Sequence, residues 1–318
     1  MRLMNNIIIE NEFLKVEMLP QGATVKSMVW KPKNRNIIAS YEMESDYLKN
    51  DVYLGSCIGP LAGRVKNNTV VVANQKYPLK PNNNESHLHG GEHGLSQVMF
   101  EVKKSDGDYV LLEGLGHHQA DGYPGNVMYK IEYRLVGYKM VLKLEASVTE
   151  SMPLNLTNHM YFRLNDHGNL EKHQIKVPSK IVFGLNENMV NDGLELEKDG
   201  VFNLDELRDV ERLLKMKHPQ FDLTGHIDHT FLLNSNEMIL QSDDLKMTVR
   251  TDYPAIHLYF ANYWDQAFKD SLGKMSANHE AVAIEPQIPA PWVLNNPDYI
   301  LNPEDRYTYV IEYEFENI

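Results

Sequence analysis

Cysteine occurs once in the 318 residues, at position 57. A lone thiol cannot close an internal disulfide, and no structural zinc site of the Cys-cluster kind can be assembled. A reducing compartment is the expected setting and the cytoplasm the expected location. Basic residues are scarce as well: 31 Lys and Arg face 44 Asp and Glu, a formal charge of −13. Nucleic acid needs clustered cations to neutralise its phosphates, and an anionic membrane surface needs the same, so neither is an expected partner. No stretch reaches the ~18 consecutive apolar residues of a spanning helix. The opening residues, Met1 to Asn6 and then Ile7-Ile8-Ile9 before Glu10, lack the longer apolar stretch of a secretory signal. Glycine patterns that cradle dinucleotides or nucleoside triphosphates are missing, as is any fixed-period repeat or Pro/Ser-rich linker.

Period-two alternation dominates what is present, and this is a strand signal. Val127, Tyr129, Ile131, Tyr133 and Leu135 alternate with Met128, Lys130, Glu132 and Arg134. After a turn at Gly137, Leu142, Leu144, Ala146 and Val148 alternate with Lys143, Glu145, Ser147 and Thr149. This predicts an antiparallel hairpin with one buried face. Tyr309, Ile311, Tyr313 and Phe315 repeat the device near the C-terminus, and shorter runs lie at Val70–Val72 and Thr248–Arg250. Helical spacing is rare. Its best case is Leu204, Leu207, Val210 and Leu213, with Asn203 as the expected N-cap. Without βαβ alternation, the chain is expected to form one all-β, antiparallel domain over residues 1–318, with few short helices. Residues 80–94 and 182–225 read as long surface loops, the usual carriers of function.

Polar residues capable of chemistry concentrate in five segments: Gly59-Pro60-Leu61-Ala62-Gly63-Arg64, His87-Leu88-His89-Gly90-Gly91, Thr157-Asn158-His159-Met160-Tyr161-Phe162, Ile227-Asp228-His229 and Ile284-Glu285-Pro286-Gln287. On a strand, His87 and His89 would share a face as two metal ligands do, but no third ligand is apparent from spacing. Taken singly, His159 reads as a hydrogen-bonded structural histidine, Glu285 as a paired carboxylate and Arg64 as an ion-pair partner. His117, His118 and His218 read as solvated loop residues. Trp264 and Trp292 are candidates for stacking on a ligand or for a cleft rim, with packing the simpler role.

Taken together and in order, these segments resemble the aldose 1-epimerase (galactose mutarotase) family. The resemblance starts at Gly22-Ala23-Thr24 and runs through residues 55–65, the Leu-His-Gly-Gly of residues 88–91, Asp121-Gly122-Tyr123-Pro124-Gly125 and residues 157–164. It continues through Asp228-His229-Thr230-Phe231 and Glu285-Pro286-Gln287 to Leu301-Asn302-Pro303-Glu304. The resemblance implies a large antiparallel β-sandwich, the galactose mutarotase-like supersandwich. It also implies cofactor- and metal-independent interconversion of the α and β anomers of free hexoses such as galactose or glucose. Glu285 matches the general base and His159 the general acid. Arg64, His89 and Asp228 match sugar-holding residues, and Tyr161 and His257 fall where further sugar contacts lie. The family commonly has an amide at the position of His257. It also reads Ala-Asn-Arg where this chain has Ala62-Gly63-Arg64, Tyr-Phe-Asn-Leu where it has Tyr161-Phe162-Arg163-Leu164, and Pro-Asp-Ala after the position of Gln287.

The chemistry requires a proton removed from the C1 hydroxyl while another reaches the ring oxygen, which one carboxylate and one imidazolium can manage. With reference values of about 4.3 for Glu and about 6.5 for His, Glu285 is ready as a base. His159 needs a raised pKa, which Asp228 or Glu285 would supply. Two other readings of the same fold remain open. A hexose-6-phosphate 1-epimerase would use Arg163 near the sugar phosphate, and a non-catalytic carbohydrate-binding or regulatory protein would keep the cleft without turnover. The partner in every case is a small-molecule sugar, and the pattern is compatible with a monomer or a homodimer.

Overall fold

The computed structural model describes residues 6–166 and 168–318. Met1–Asn5, inspected above for a targeting signal, lie outside the described residues. The expected hairpin is formed by strands Val127–Val136 and Lys139–Val148, paired in register from Val127↔Val148 to Val136↔Lys139. Its alternate residues, Val127 to Leu135 and Met140 to Val148 in steps of two, are buried. Strands Tyr109–Gly116 and Glu101–Asp106 extend this sheet on one side. On the other side comes the C-terminal strand Tyr307–Asn317, then Leu245–Thr251, Glu237–Gln241, Gln174–Lys176 and Arg208–Asp209. All nine strands pair antiparallel.

A six-stranded antiparallel sheet lies against it, in the order Tyr161–Phe162, Val282–Gln287, Ala255–Tyr259, Asp228–Leu233, Ser179–Phe183 and Glu195–Leu196. Phe231, Ile256, Leu258, Val282 and Ile284 of this sheet join Met247, Val249, Ile311, Tyr313 and Phe315 of the larger one in a single apolar core. The Phe162 and Tyr313 rings meet across it at 5.2 Å. Each such side chain contributes roughly 1.5–3 kcal/mol on burial, and that burial fixes the register of both sheets. Because side chains alternate, residues at odd steps from this core face the other way. Asp228 and Thr230, His257 and Tyr259, and Glu285 and Gln287 are therefore placed together on the far face of the smaller sheet. A four-stranded sheet of Ile7–Glu10, Leu14–Leu19, Thr24–Trp30 and Arg35–Asn36 flanks the assembly.

Two local expectations need correction. Helical structure near Leu204–Leu213 is confined to Val210–Leu214, preceded by Asp209 and not by Asn203. Leu204 is buried through tertiary pairing instead: its carbonyl accepts from the Val177 amide at 2.6 Å. Arg208 and Asp209 form an edge strand against Gln174 and Ile175, and Leu207 is 40% exposed. Residues 182–225 are accordingly not a plain loop, since they supply strands to both large sheets. The short helices are Val210–Leu214, Phe221–Thr224 and Ala290–Asn295. No helix among the described residues is long and apolar enough to cross a membrane.

Candidate active site

A cleft of about 280 Å³ opens on the far face of the six-stranded sheet, and all seven residues singled out above line it. Glu285 and His257 sit opposite each other in adjacent strands, and His257 is in turn opposite Thr230. The Glu285 side chain is buried. His159 enters from the short connection between Thr157–Asn158 and Tyr161–Phe162. Its backbone is pinned on both sides, with its amide donating to the Ser56 carbonyl at 2.8 Å and its carbonyl accepting from the Gly55 amide at 3.1 Å. That anchorage sets His159 Nε2 3.4 Å from Glu285 Oε1.

His89 arrives on a loop that packs on the Gly59–Arg64 segment. The two segments exchange hydrogen bonds: the His89 amide donates to the Gly63 carbonyl at 3.1 Å, and the Gly63 amide donates to His89 Nδ1 at 3.2 Å. A nitrogen that accepts carries no proton, so the neutral ring of His89 holds its proton on Nε2. Burial pushes its pKa well below the ordinary imidazole value, and the neighbouring His159 and Arg64 push the same way. Gly90 is needed for the close approach: with φ +91°, an added Cβ would lie 1.8 Å from the Gly59 carbonyl oxygen.

His87 does not share this face. His89 has φ +52°, in the left-handed region, so the strand geometry that would align the two rings is broken. The His87 ring instead bridges the Lys80 carbonyl at 2.7 Å and the Tyr123 hydroxyl at 2.9 Å. Asp121 Oδ2 accepts from the His93 amide at 3.0 Å. The Asp121-Gly122-Tyr123 motif thus braces the loop that carries His89. The donor atoms that do converge belong to His89, His159 and Glu285, all within 4.8 Å of one another. They are of the types that hold Zn²⁺, and they are also the groups that a proton-transfer reaction would use.

Burial lowers the pKa of His159, outweighing the attraction of Glu285 that would raise it. The expectation of a raised value is corrected on this point: a ring this enclosed loses more hydration as a cation than one carboxylate at 3.4 Å returns. For His257 the balance has the opposite sign. Burial again opposes the charge, but the hydrogen bond to Asp228 and the fields of Glu285 and Asp228 prevail, and its pKa is raised. His257 Nε2 lies 2.8 Å from Asp228 Oδ1, and its Nδ1 3.0 Å from Thr230 Oγ1. The Asp228 carboxyl is held below its usual range: burial opposes this, and the His257 contact more than offsets it.

Arg64 reaches Asn83 Oδ1 at 3.4 Å from the cleft wall. Tyr161 presents its ring, 4.8 Å from that of His159, while its hydroxyl donates to the Val52 carbonyl at 3.2 Å. Trp264 is buried against Tyr161 and Phe268, with ring centroids at 4.5 and 5.0 Å. Trp292 stacks on Tyr299 away from the cleft lining. Arg163 lies elsewhere: it is buried and paired with Asp270 at 2.9 Å. His118, read as solvated, is fully buried with Nε2 2.7 Å from the Tyr129 hydroxyl, and His218 packs its ring on Phe202. Tyr53, Asn83, Thr230 and Gln287 also line the cleft, beyond the residues expected from the sequence. Period two from Asp228 and Glu285 would have reached Thr230 and Gln287, whereas Tyr53 and Asn83 come from loops and carry no such signal.

A family model described as aldose 1-epimerase matches residues 5–314. The galactose mutarotase of Homo sapiens is 24% identical over 325 residues, covering 96% of this chain and 92% of that protein. The aldose 1-epimerase of Streptococcus thermophilus is 26% identical over 332 residues, with the same two coverages of 96% and 92%. Among solved structures, an aldose epimerase homologue from C. elegans superposes with a TM-score of 0.91 at 24% identity, covering 99% of this chain and 100% of that one. A galactose 1-epimerase from Lactobacillus acidophilus gives 0.88 at 24% identity, covering 98% and 94%. The β-sandwich is therefore the galactose mutarotase fold. With a match that spans almost its whole length, the chain belongs to the aldose 1-epimerase family and is an isomerase of the epimerase class.

Proposed function

We propose that the protein interconverts the α and β anomers of an unphosphorylated aldohexose, with galactose and glucose as the first candidates, by acid–base ring opening. The observation that carries this reading is the buried His159–Glu285 pair, 3.4 Å apart at the base of the cleft. Glu285 removes the C1 hydroxyl proton and His159, in its protonated form, delivers one to the ring oxygen. Rotation about C1–C2 follows, and the two groups exchange roles on closure. Neutral His89 donates through Nε2–H to a sugar oxygen, and Arg64 and Asp228 hold hydroxyl groups from opposite sides. The Tyr161 ring packs beside His159 and keeps water from it. General acid–base help of roughly 10²–10⁴-fold per group suffices for a reaction that already proceeds in water.

Support for an uncharged substrate comes from the cations available. Arg163 is spoken for by Asp270 outside the cleft lining, which leaves Arg64 and His257 among three lining carboxylates, Asp51, Asp228 and Glu285. Exchange NMR on galactose, glucose and glucose 6-phosphate at equal concentration tests the assignment. Free hexoses should exchange anomers faster than in buffer, and the phosphate ester should lag behind them. A preference for the ester would overturn it.

A further inference from the structure

Of the three carboxylates lining the cleft, Asp51, Asp228 and Glu285, the last two stand on strands that flank a third, and the residue between them is His257. Its strand, Ala255–Tyr259, pairs with Asp228–Leu233 on one side and with Val282–Gln287 on the other. On the first side His257 makes two hydrogen bonds, to Asp228 Oδ1 and Thr230 Oγ1. On the second it stands opposite Glu285 in register. Both ring nitrogens are thus engaged within the protein, and neither is left to bind a sugar hydroxyl directly. We propose that His257 is a positioning residue, which orients the Asp228 carboxylate toward the sugar and sets a balancing charge between Asp228 and Glu285. This deepens the function proposed above and rests on it.

The electrostatics agree with the geometry. Two carboxylates in one buried site repel each other; a cation between them offsets that repulsion. The groups facing His257 are Asp228 and Thr230 on one neighbouring strand, Glu285 and Gln287 on the other, and Arg64, His89 and His159 from the loops across the cleft. His229 lies behind Asp228, with its Nδ1 accepting the Asp228 amide at 2.9 Å. Burial opposes the imidazolium form of His257, as does Arg64, but Asp228 and Glu285 favour it and prevail, with the result raised above the ordinary value. When that proton is lost at higher pH, the contact to Asp228 passes from an ion pair to a hydrogen bond from a neutral ring to the carboxylate. The orientation of Asp228 then loosens, and the sugar is held less well.

The test compares the wild type with His257→Gln, His257→Ala and Asp228→Asn, each checked for folding by its circular dichroism. A glutamine side chain can donate to Asp228 and accept from Thr230 without a titrating charge. The wild-type KM should rise roughly fivefold through the His257 titration, the ratio expected when one of the two charges of a hydrogen-bonded ion pair is lost. In His257→Gln, KM should be flat with pH while kcat keeps the wild-type pH profile. In His257→Ala, kcat/KM should fall about a hundredfold, because Asp228 is left buried without its partner, and the glutamine variant should recover most of that loss. Imidazole NMR supplies a readout that needs no turnover: the His257 ring should titrate above 6.5 in the wild type and below it in Asp228→Asn. A KM limb shared by the wild type and His257→Gln, or a ring titration that Asp228→Asn leaves unmoved, would overturn the proposal. Absence of anomer exchange by the wild type would instead overturn the function, and the ring titration would still decide whether His257 serves the two carboxylates.

Discussion

His159 Nε2 stands 3.4 Å from Glu285 Oε1, with both side chains almost sealed from solvent. The distance lets a sugar hemiacetal fall within reach of both groups, and the enclosure decides which of them carries a proton at rest. Burial lowers the pKa of His159 against the pull of Glu285. The acid form therefore becomes scarcer as pH rises through a value below the ordinary imidazole value of about 6.5. Since kcat/KM reports the ionisations of the free enzyme, it should decline on the basic side through a pKa below that value. A pH series of anomer exchange at low sugar concentration checks this. A kcat/KM that climbs steadily from pH 6 to 8 would contradict it.

Acid should unfold the protein early. His118 and His229 are pushed down to about 3 and His173 to about 4, in each case first by burial. His173 Nε2 accepts the Leu164 amide at 2.8 Å and His229 Nδ1 the Asp228 amide at 2.9 Å, so protonating those nitrogens breaks a bond. With folded values depressed, the unfolded chain takes up these protons first. Their contribution is intact above about 6.5 and is lost as pH falls toward the folded values, at about 1.4 kcal/mol per histidine per pH unit. Urea midpoints at pH 7.5, 6 and 5 should drop with increasing slope, and equal midpoints would refute the account.

Removing one member of the Arg163–Asp270 pair should damage stability and leave specificity alone. Both side chains are buried, and Asp270 Oδ1 also accepts from the Leu272 amide at 2.9 Å. Arg163→Met strands a buried carboxylate, at a cost of about 3–5 kcal/mol. The ratio of rates on glucose and glucose 6-phosphate should not move, whereas a shift in that ratio would place Arg163 at the sugar.

Gly90→Ala should loosen the loop that carries His89. The added Cβ meets a backbone oxygen that cannot rotate away, at a residue with φ +91°. A stability loss of roughly 2–4 kcal/mol and a raised KM are expected from denaturant unfolding and kinetics. A variant within about 0.5 kcal/mol of the wild type would show that the loop relaxes freely.

How much of this was legible beforehand follows from the range of each determinant. The hairpin of residues 127–148 announces itself because alternation is written in adjacent residues and its burial follows directly. The same periodicity places Glu285 on the face opposite Ile284, though nothing local says that this face is a cleft. His159, His89 and Arg64 were nameable only through the ordered resemblance, since each sits on a loop fixed by distant backbone such as Ser56 and Gly63. The pairing of His87 and His89 failed on one left-handed residue. The helix expected from Leu204 does not form because Leu204 is bonded to Val177 and Asp209 is paired with the strand Gln174–Lys176. The charge of His159 is illegible for a related reason: a neighbouring carboxylate can be inferred from the sequence, but the depth of burial that outweighs it cannot.

The assignment of base and acid is tested most directly by measuring α-to-β exchange of galactose by NMR for the wild type and Glu285→Gln, alongside sugar binding. Glutamine keeps the shape of the side chain and removes its basicity. The expected result is a rate reduced by roughly 10²–10⁴-fold with galactose still bound. Exchange by Glu285→Gln as fast as by the wild type, with binding intact, would contradict the mechanism at its centre.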